Sequence, residues 1–104
     1  MNLNQSKAMS LLGLANRARK VISGEELVLK EIKSSRAKLV LLSKDAAPNT
    51  SKRIQDKCLY YKVPIVMIDN REELGSAIGK EARVVVAISD AGFAKKLTAL
   101  LERT

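Results

Sequence analysis

The chain contains no histidine and no tryptophan, and Cys58 is its single thiol. Without histidine there is no imidazole acid–base group, no thiolate–imidazole pair and no ordinary zinc site, and one cysteine forms no internal disulfide. No cofactor and no metal are expected. Cys58 falls on an apolar helical position between Ile54 and Tyr61, where a free cysteine packs as a small hydrophobe. Aromatic residues are scarce at 3%, and no strand carries a run of them. No apolar stretch approaches the ~18 residues of a membrane helix. The first 24 residues hold no acid, as in a transit peptide. Their apolar positions Ala8, Leu11, Leu12 and Ala15 instead continue a helical stripe. With no secretory pattern and one cysteine, the expected compartment is the cytoplasm.

What is present is positive charge. Nineteen Lys and Arg against eleven Asp and Glu give a net charge of +8 and a pI near 9.9. The excess is uneven: residues 1–62 carry 13 of the 19 cations and 5 of the 11 acids, and residues 63–104 carry 6 of each. A polyanionic partner is the reading that such asymmetry favours over a solvated basic face. At 104 residues, one domain spanning 1–104 is expected, large enough to bury roughly 65% of its unfolded surface.

Apolar patterning alternates between helices and short buried strands. A first helix covers residues 4–18, and a short extended piece follows at Lys20–Ile22. A second helix runs to about Lys33. Leu39–Leu42 is a continuous apolar run, as in a strand covered on both faces. Pro48 and Asn49 open a third helix with Ile54, Cys58 and Tyr61 inward. Ile65–Ile68 is the next strand. Asn70 and Glu73 start a helix that closes at Gly79, Val84–Ile88 is the last strand, and Ser89 and Asp90 cap a final helix. The fold class expected is α/β: a three-layer α/β/α sandwich around a small mixed, mostly parallel four-stranded sheet.

The stretch Ser23–Ala46 (SGEELVLKEIKSSRAKLVLLSKDA) carries the densest signal. Ser23, Gly24, Glu25 and Glu26 read as a capping box, with Glu26 reaching back to the Ser23 amide. Gly24 permits another backbone to come close to the new helix terminus. Lys20 precedes that terminus, Lys30 follows it, and Lys44 closes the strand beyond. A helix start flanked by cations suits a phosphate backbone.

The segments Leu11–Lys20 (LLGLANRARK), Ala37–Ala46 (AKLVLLSKDA), Glu73–Gly79 (EELGSAIG) and Val84–Ile88 (VVVAI) resemble, in order and spacing, the ribosomal-protein family typified by L-seven-Ae and L-thirty-e. The pairing of LLGLANRARKVISGEE with GFAKKLTALL resembles its bacterial YlxQ-type branch. That resemblance implies a non-catalytic protein that binds structured RNA, in particular a kinked stem or kink-turn, together with ribosomal or ribonucleoprotein components. The family's reading signature, Gly-X-Asn-Glu-X-X-Lys, falls on Gly24–Lys30. Gly24 and Lys30 match, whereas Glu26 and Leu27 stand at the Asn and Glu positions. The implied RNA-contacting residues are Lys20, Gly24, Glu25, Glu26, Lys30 and Lys44, with Ala82 and Arg83 in a second loop.

Each of these has a plainer explanation. Glu26 suffices as a cap, Lys30 as its i,i+4 partner, Arg17 and Arg19 as cations at a helix C-terminus, and Arg83 as a solvated turn. Two other functional classes also fit the residues. Asp45, Asp69 and Asp90 all follow strands and would hold magnesium if they converged, although no Gly-rich phosphate loop accompanies them. A protein–protein adaptor within a ribonucleoprotein is the other.

Overall fold

The computed structural model describes residues 3–102. Nine elements follow one another: α1 (Leu3–Arg17), β1 (Val21–Ser23), α2 (Glu25–Lys33), β2 (Leu39–Ser43), α3 (Pro48–Tyr61), β3 (Ile65–Ile68), α4 (Arg71–Ala77), β4 (Val85–Ile88) and α5 (Ala91–Leu101). Local chemistry sets several boundaries. Pro48 opens α3, where its missing N–H removes no helical bond. The Asn70 side chain accepts from the Glu73 amide at 2.9 Å to start α4, and Asp90 accepts from the Phe93 amide at 2.8 Å to start α5.

The four strands form one mixed sheet in the order β1-β4-β2-β3. The expectation of a mostly parallel sheet is corrected in one respect. Only β2 and β3 run parallel, while β4 lies antiparallel to both β1 and β2. The β2–α3–β3 unit makes the parallel crossover that a buried apolar strand pattern suggests. After the short α4, the linker returns to the end of the sheet where β2 finishes, so β4 runs back against it.

Alternation along the central strands builds a core on each face. Leu39, Leu41, Val86 and Ile88 pack with α1, α4 and α5 through Leu12, Leu74 and Leu97. Val40, Leu42, Val85 and Ala87 pack with α2 and α3 through Val28, Leu29, Ile32 and Ile54. Full burial of each such leucine or isoleucine contributes about 1.5–3 kcal/mol. These are the three layers expected. Cys58 belongs to the second core, and burial pushes its thiol up to about 11. Tyr61, expected inward, is instead 37% exposed. It sits in the last turn of α3, next to the left-handed C-cap Lys62. No described helix is long and apolar enough to cross a membrane.

Candidate nucleic-acid interface

The strand directions give the sheet two ends. Four linkers lie at the end where β1, β2 and β3 finish: residues 69–70 after β3, and three that meet, Gly24 between β1 and α2, residues 44–47 after β2, and residues 78–84 before β4. Backbone bonds tie them together. The Gly24 amide donates to Val85 O at 3.2 Å, and the Ser43 amide to Val84 O at 2.8 Å. The Arg83 amide donates to Arg71 O at 3.0 Å, and Arg71 Nη2 donates to Asp45 O at 2.6 Å. Residues 60 positions apart in sequence thereby share one surface.

Gly24 has φ +100°, a conformation side chains rarely adopt, and open space lies where its Cβ would be. The first helical bond of α2 runs from Val28 N–H to Gly24 O at 2.9 Å. The expected capping box is absent. Ser23 is spoken for by β1, paired with Val86 of β4, so Gly24 is the N-cap, and it has no side chain to accept a bond. Glu26, freed from capping, is 77% exposed on its side chain and faces Arg53 of α3 at 3.0 Å. Arg53 also binds Glu25 at 2.9 Å, and Thr50 Oγ1 donates to Glu25 at 2.9 Å. Glu26 and then Glu25 raise the pKa of the Arg53 guanidinium above its ordinary value. Lys30 has no ion pair among the described residues, so the expected Glu26–Lys30 pair is replaced by Glu26–Arg53. Leu27 is 55% exposed beside them. Sequence reasoning missed Arg53, since its partners lie 27 and 28 residues away and no local spacing announces the contact.

Lys44 pairs with Asp69 at 3.4 Å, and Arg71 with Asp45 at 3.5 Å. Ser43, whose buried hydroxyl lies near Asp45 but makes no hydrogen bond of good geometry, lowers the Asp45 pKa, and the Arg71 amide and guanidinium add to it. The loop bearing Ala82 and Arg83 is seated on Gly75 of α4, where an added Cβ would come within 2.7 Å of Ala82 Cα. Arg83 is half-buried, its Nη1 donating to Ala82 O at 2.6 Å.

Lys20 is not part of this assembly. It precedes Val21 at the far end of β1, roughly 13 Å from Gly24 at about 3.3 Å per strand residue. Asp90 also lies at that far end, because β4 runs antiparallel, so Asp45, Asp69 and Asp90 never converge. Among the described residues no cluster of three metal-ligating side chains exists. The magnesium-enzyme alternative thus loses its geometric basis. The far end is also the more basic one. Its linkers carry Arg19, Lys20, Arg36, Lys38 and Lys62 against Asp90 alone. The Gly24-end linkers carry Lys44, Lys80 and Arg83 against Asp45, Asp69 and Glu81.

Comparison with known proteins gives consistent matches. The model of the ribosomal protein L7Ae/L30e/S12e/Gadd45 family matches residues 6–98. A Bacillus subtilis protein named RNA-binding protein YlxQ is 65% identical over 92 residues, covering 88% of this chain and 92% of that one. Its namesake from Enterococcus faecium is 46% identical over 99 residues, covering 95% of each. A solved structure from Bacillus halodurans, described as a protein with unknown function, superposes with a TM-score of 0.91 at 48% identity, covering 93% of this chain and 98% of that one.

Proposed function

The chain belongs to the ribosomal protein L7Ae/L30e/S12e/Gadd45 family, and we propose that it is a cytoplasmic, non-catalytic protein that binds a structured RNA through the Gly24 end of its sheet. The observation that carries this reading is the open approach to Gly24. A side-chain-free helix start stands beside the Lys44 turn and the Arg83 loop, with nothing above it. A bent RNA backbone can come within hydrogen-bonding range of such a terminus, where the first-turn amides of α2 face outward. The names of the two relatives and the family support an RNA partner.

The RNA is, on this proposal, a kinked stem or kink-turn, and ribosomal RNA is the leading candidate class. Glu26 and Leu27 supply one hydrogen-bond acceptor where the resembling signature has an amide and a carboxylate. Shape and phosphate contacts therefore carry more of the discrimination than base-edge bonds. Lys30 on the exposed face of α2 and Lys44 beyond β2 provide the phosphate contacts, and Arg83 approaches from the second loop. The experiment is a titration with a kink-turn duplex and with an unkinked duplex of equal length and charge. Tighter binding of the kinked stem, weakened by Gly24→Val in a folded variant, is the expected result. Equal affinity for both duplexes would remove the kinked-stem reading.

A further inference from the structure

We propose that the end of the sheet opposite Gly24 is a second RNA-binding surface, which takes an unpaired strand with its phosphates along Arg19, Lys20, Lys38 and Lys62 and its bases on Tyr60 and Tyr61. It rests on the reading that the protein binds RNA, but it uses none of the residues assigned to the Gly24 end.

The cations form a row rather than a scatter. The Ser89 amide donates to Lys20 O at 2.9 Å, the Lys38 amide to Ile88 O at 2.7 Å, and the Val40 amide to Pro64 O at 2.9 Å. These bonds place the linkers side by side in sheet order, Lys20 over β1, Lys38 over β2 and Lys62 leading into β3. At about 4.8 Å between strands the row spans roughly 14 Å, room for several phosphates. All four cations are exposed and none has a salt bridge among the described residues. Arg36, by contrast, is tied to Glu31 at 3.1 Å and is left out of the set.

The tyrosines stand in the last turn of α3. Tyr60 is 78% exposed and meets the less exposed Tyr61 edge-to-face with centroids 4.9 Å apart, a contact that leaves Tyr60 the more open ring. Exposed aromatic faces beside unpaired cations make a stacking platform for unpaired bases. The platform is one Lys62 away from the cation row.

The backbone supplies an independent argument. Arg19 has φ 61° and Lys62 φ 59°, left-handed conformations at the ends of α1 and α3 that glycine adopts more readily. Of the three such non-glycine positions at this end, Arg19 and Lys62 carry a cation and Ser35, at φ 64°, does not. Compensation of helix dipoles explains part of this charge, since α1, α2 and α3 all end here. Three termini amount to about −1.5 charges at half a charge each, fewer than the exposed cations present.

The test exploits the composition. With no tryptophan and two tyrosines, intrinsic emission comes from this surface alone. Titration with a short unstructured oligouridylate is expected to quench that emission, with an affinity that falls as salt rises. Tyr60→Leu should weaken binding on the order of tenfold. Arg19→Gly with Lys62→Gly should melt at the same or a higher temperature, yet bind oligouridylate with a log–log salt slope shallower by about 0.7 per lost contact. Kinked-stem binding by the same variants serves as the second arm. Quenching that survives while stem selectivity is absent removes the Gly24 reading and leaves this one. Absent quenching, or undiminished oligouridylate binding by the glycine pair, overturns this proposal, and a surface reserved for a protein partner would give that result.

Discussion

The two ends of the sheet divide shape from charge. At the Gly24 end, three linkers from distant parts of the chain are held by backbone bonds, two arginine–carboxylate pairings and a lysine–aspartate pair. Its formal charges nearly balance. At the far end few side chains pair, and cations outnumber acids. On the proposed reading, a neutral terminus whose donors are held by backbone bonds before binding selects the form of its ligand. An exposed basic row attracts any polyanion and discriminates little. The +8 net charge, taken alone, directs attention to the far end rather than to the end proposed to select the RNA.

The strongest way to break the shape-reading end is at Gly75. Its Cβ position is occupied by the backbone of Ala82, within 2.7–2.9 Å of three atoms, so Gly75→Ala must push the loop away. Overpacking of this kind costs about 1–3 kcal/mol. Thermal melts should show that loss. Discrimination between kinked and unkinked duplexes should fall while oligouridylate binding at the far end persists. Loss of both bindings in a folded variant would mean the ends are not independent.

Restoring the resembling signature tests the same end in the opposite direction. Leu27 is 55% exposed, so Leu27→Glu carries no desolvation penalty of the kind a core position would impose. Combined with Glu26→Asn it should tighten a kinked stem by about 1–3 kcal/mol per restored bidentate base contact, offset in part because Arg53 loses one partner. An equal gain for the unkinked duplex would place the reading head elsewhere.

A smaller effect is expected from Arg53→Leu. Ion pairs with exposed members are worth about 0–1 kcal/mol, so the melting temperature should move by only a few degrees. Release of Glu25 and Glu26 leaves two unneutralised carboxylates beside the proposed phosphate path. Stem affinity should drop modestly, with oligouridylate binding unchanged. A gain in stem affinity would assign Arg53 to restraining α2 rather than to offsetting its acids.

How legible these ends were in the sequence depends on the range of each interaction. Helices and strands followed from local signals. Leu39–Leu42 gave a buried strand, and the Asn70 and Asp90 caps hold as read. Ser23 failed because a three-residue strand competed with the cap and won through pairing with β4, more than 60 residues away. The direction of β4 was likewise invisible, since it depends on where a long linker returns. That one fact separates Asp90 from Asp45, while the strand β1 itself separates Lys20 from Gly24. Tyr61 has the right helical phase for the core, but it is the last residue of α3 before the Lys62 cap and is 37% exposed. Arg53 had no local signature at all.

The smallest predicted effect concerns acid, and it separates the ends by their carboxylates. Asp45 has a depressed pKa in the folded protein, held down first by Ser43 and then by Arg71, relative to an ordinary value of 3.8. A depressed folded pKa means that the charged form is favoured by folding. Its stabilisation is complete above the unfolded pKa and is lost as pH falls through the folded one. The carboxylate is exposed, so the contribution to global stability is small, but it links the Lys44 turn to the start of α4 through Arg71. Acid should therefore loosen the Gly24 end before the far end, which has few carboxylates to protonate. Amide exchange or backbone relaxation for residues 44–47 and 80–84, compared with 34–38, reads this directly. As pH falls below the ordinary value of 3.8, the first set should lose protection ahead of the second. Asp45→Asn should show part of that loosening already at neutral pH and change less on acidification. If both ends loosen together in the parent chain and in Asp45→Asn alike, the Arg71–Asp45 contact is not what secures the Gly24 end, and its rigidity rests on the backbone bonds of Gly24, Ser43 and Arg83 alone.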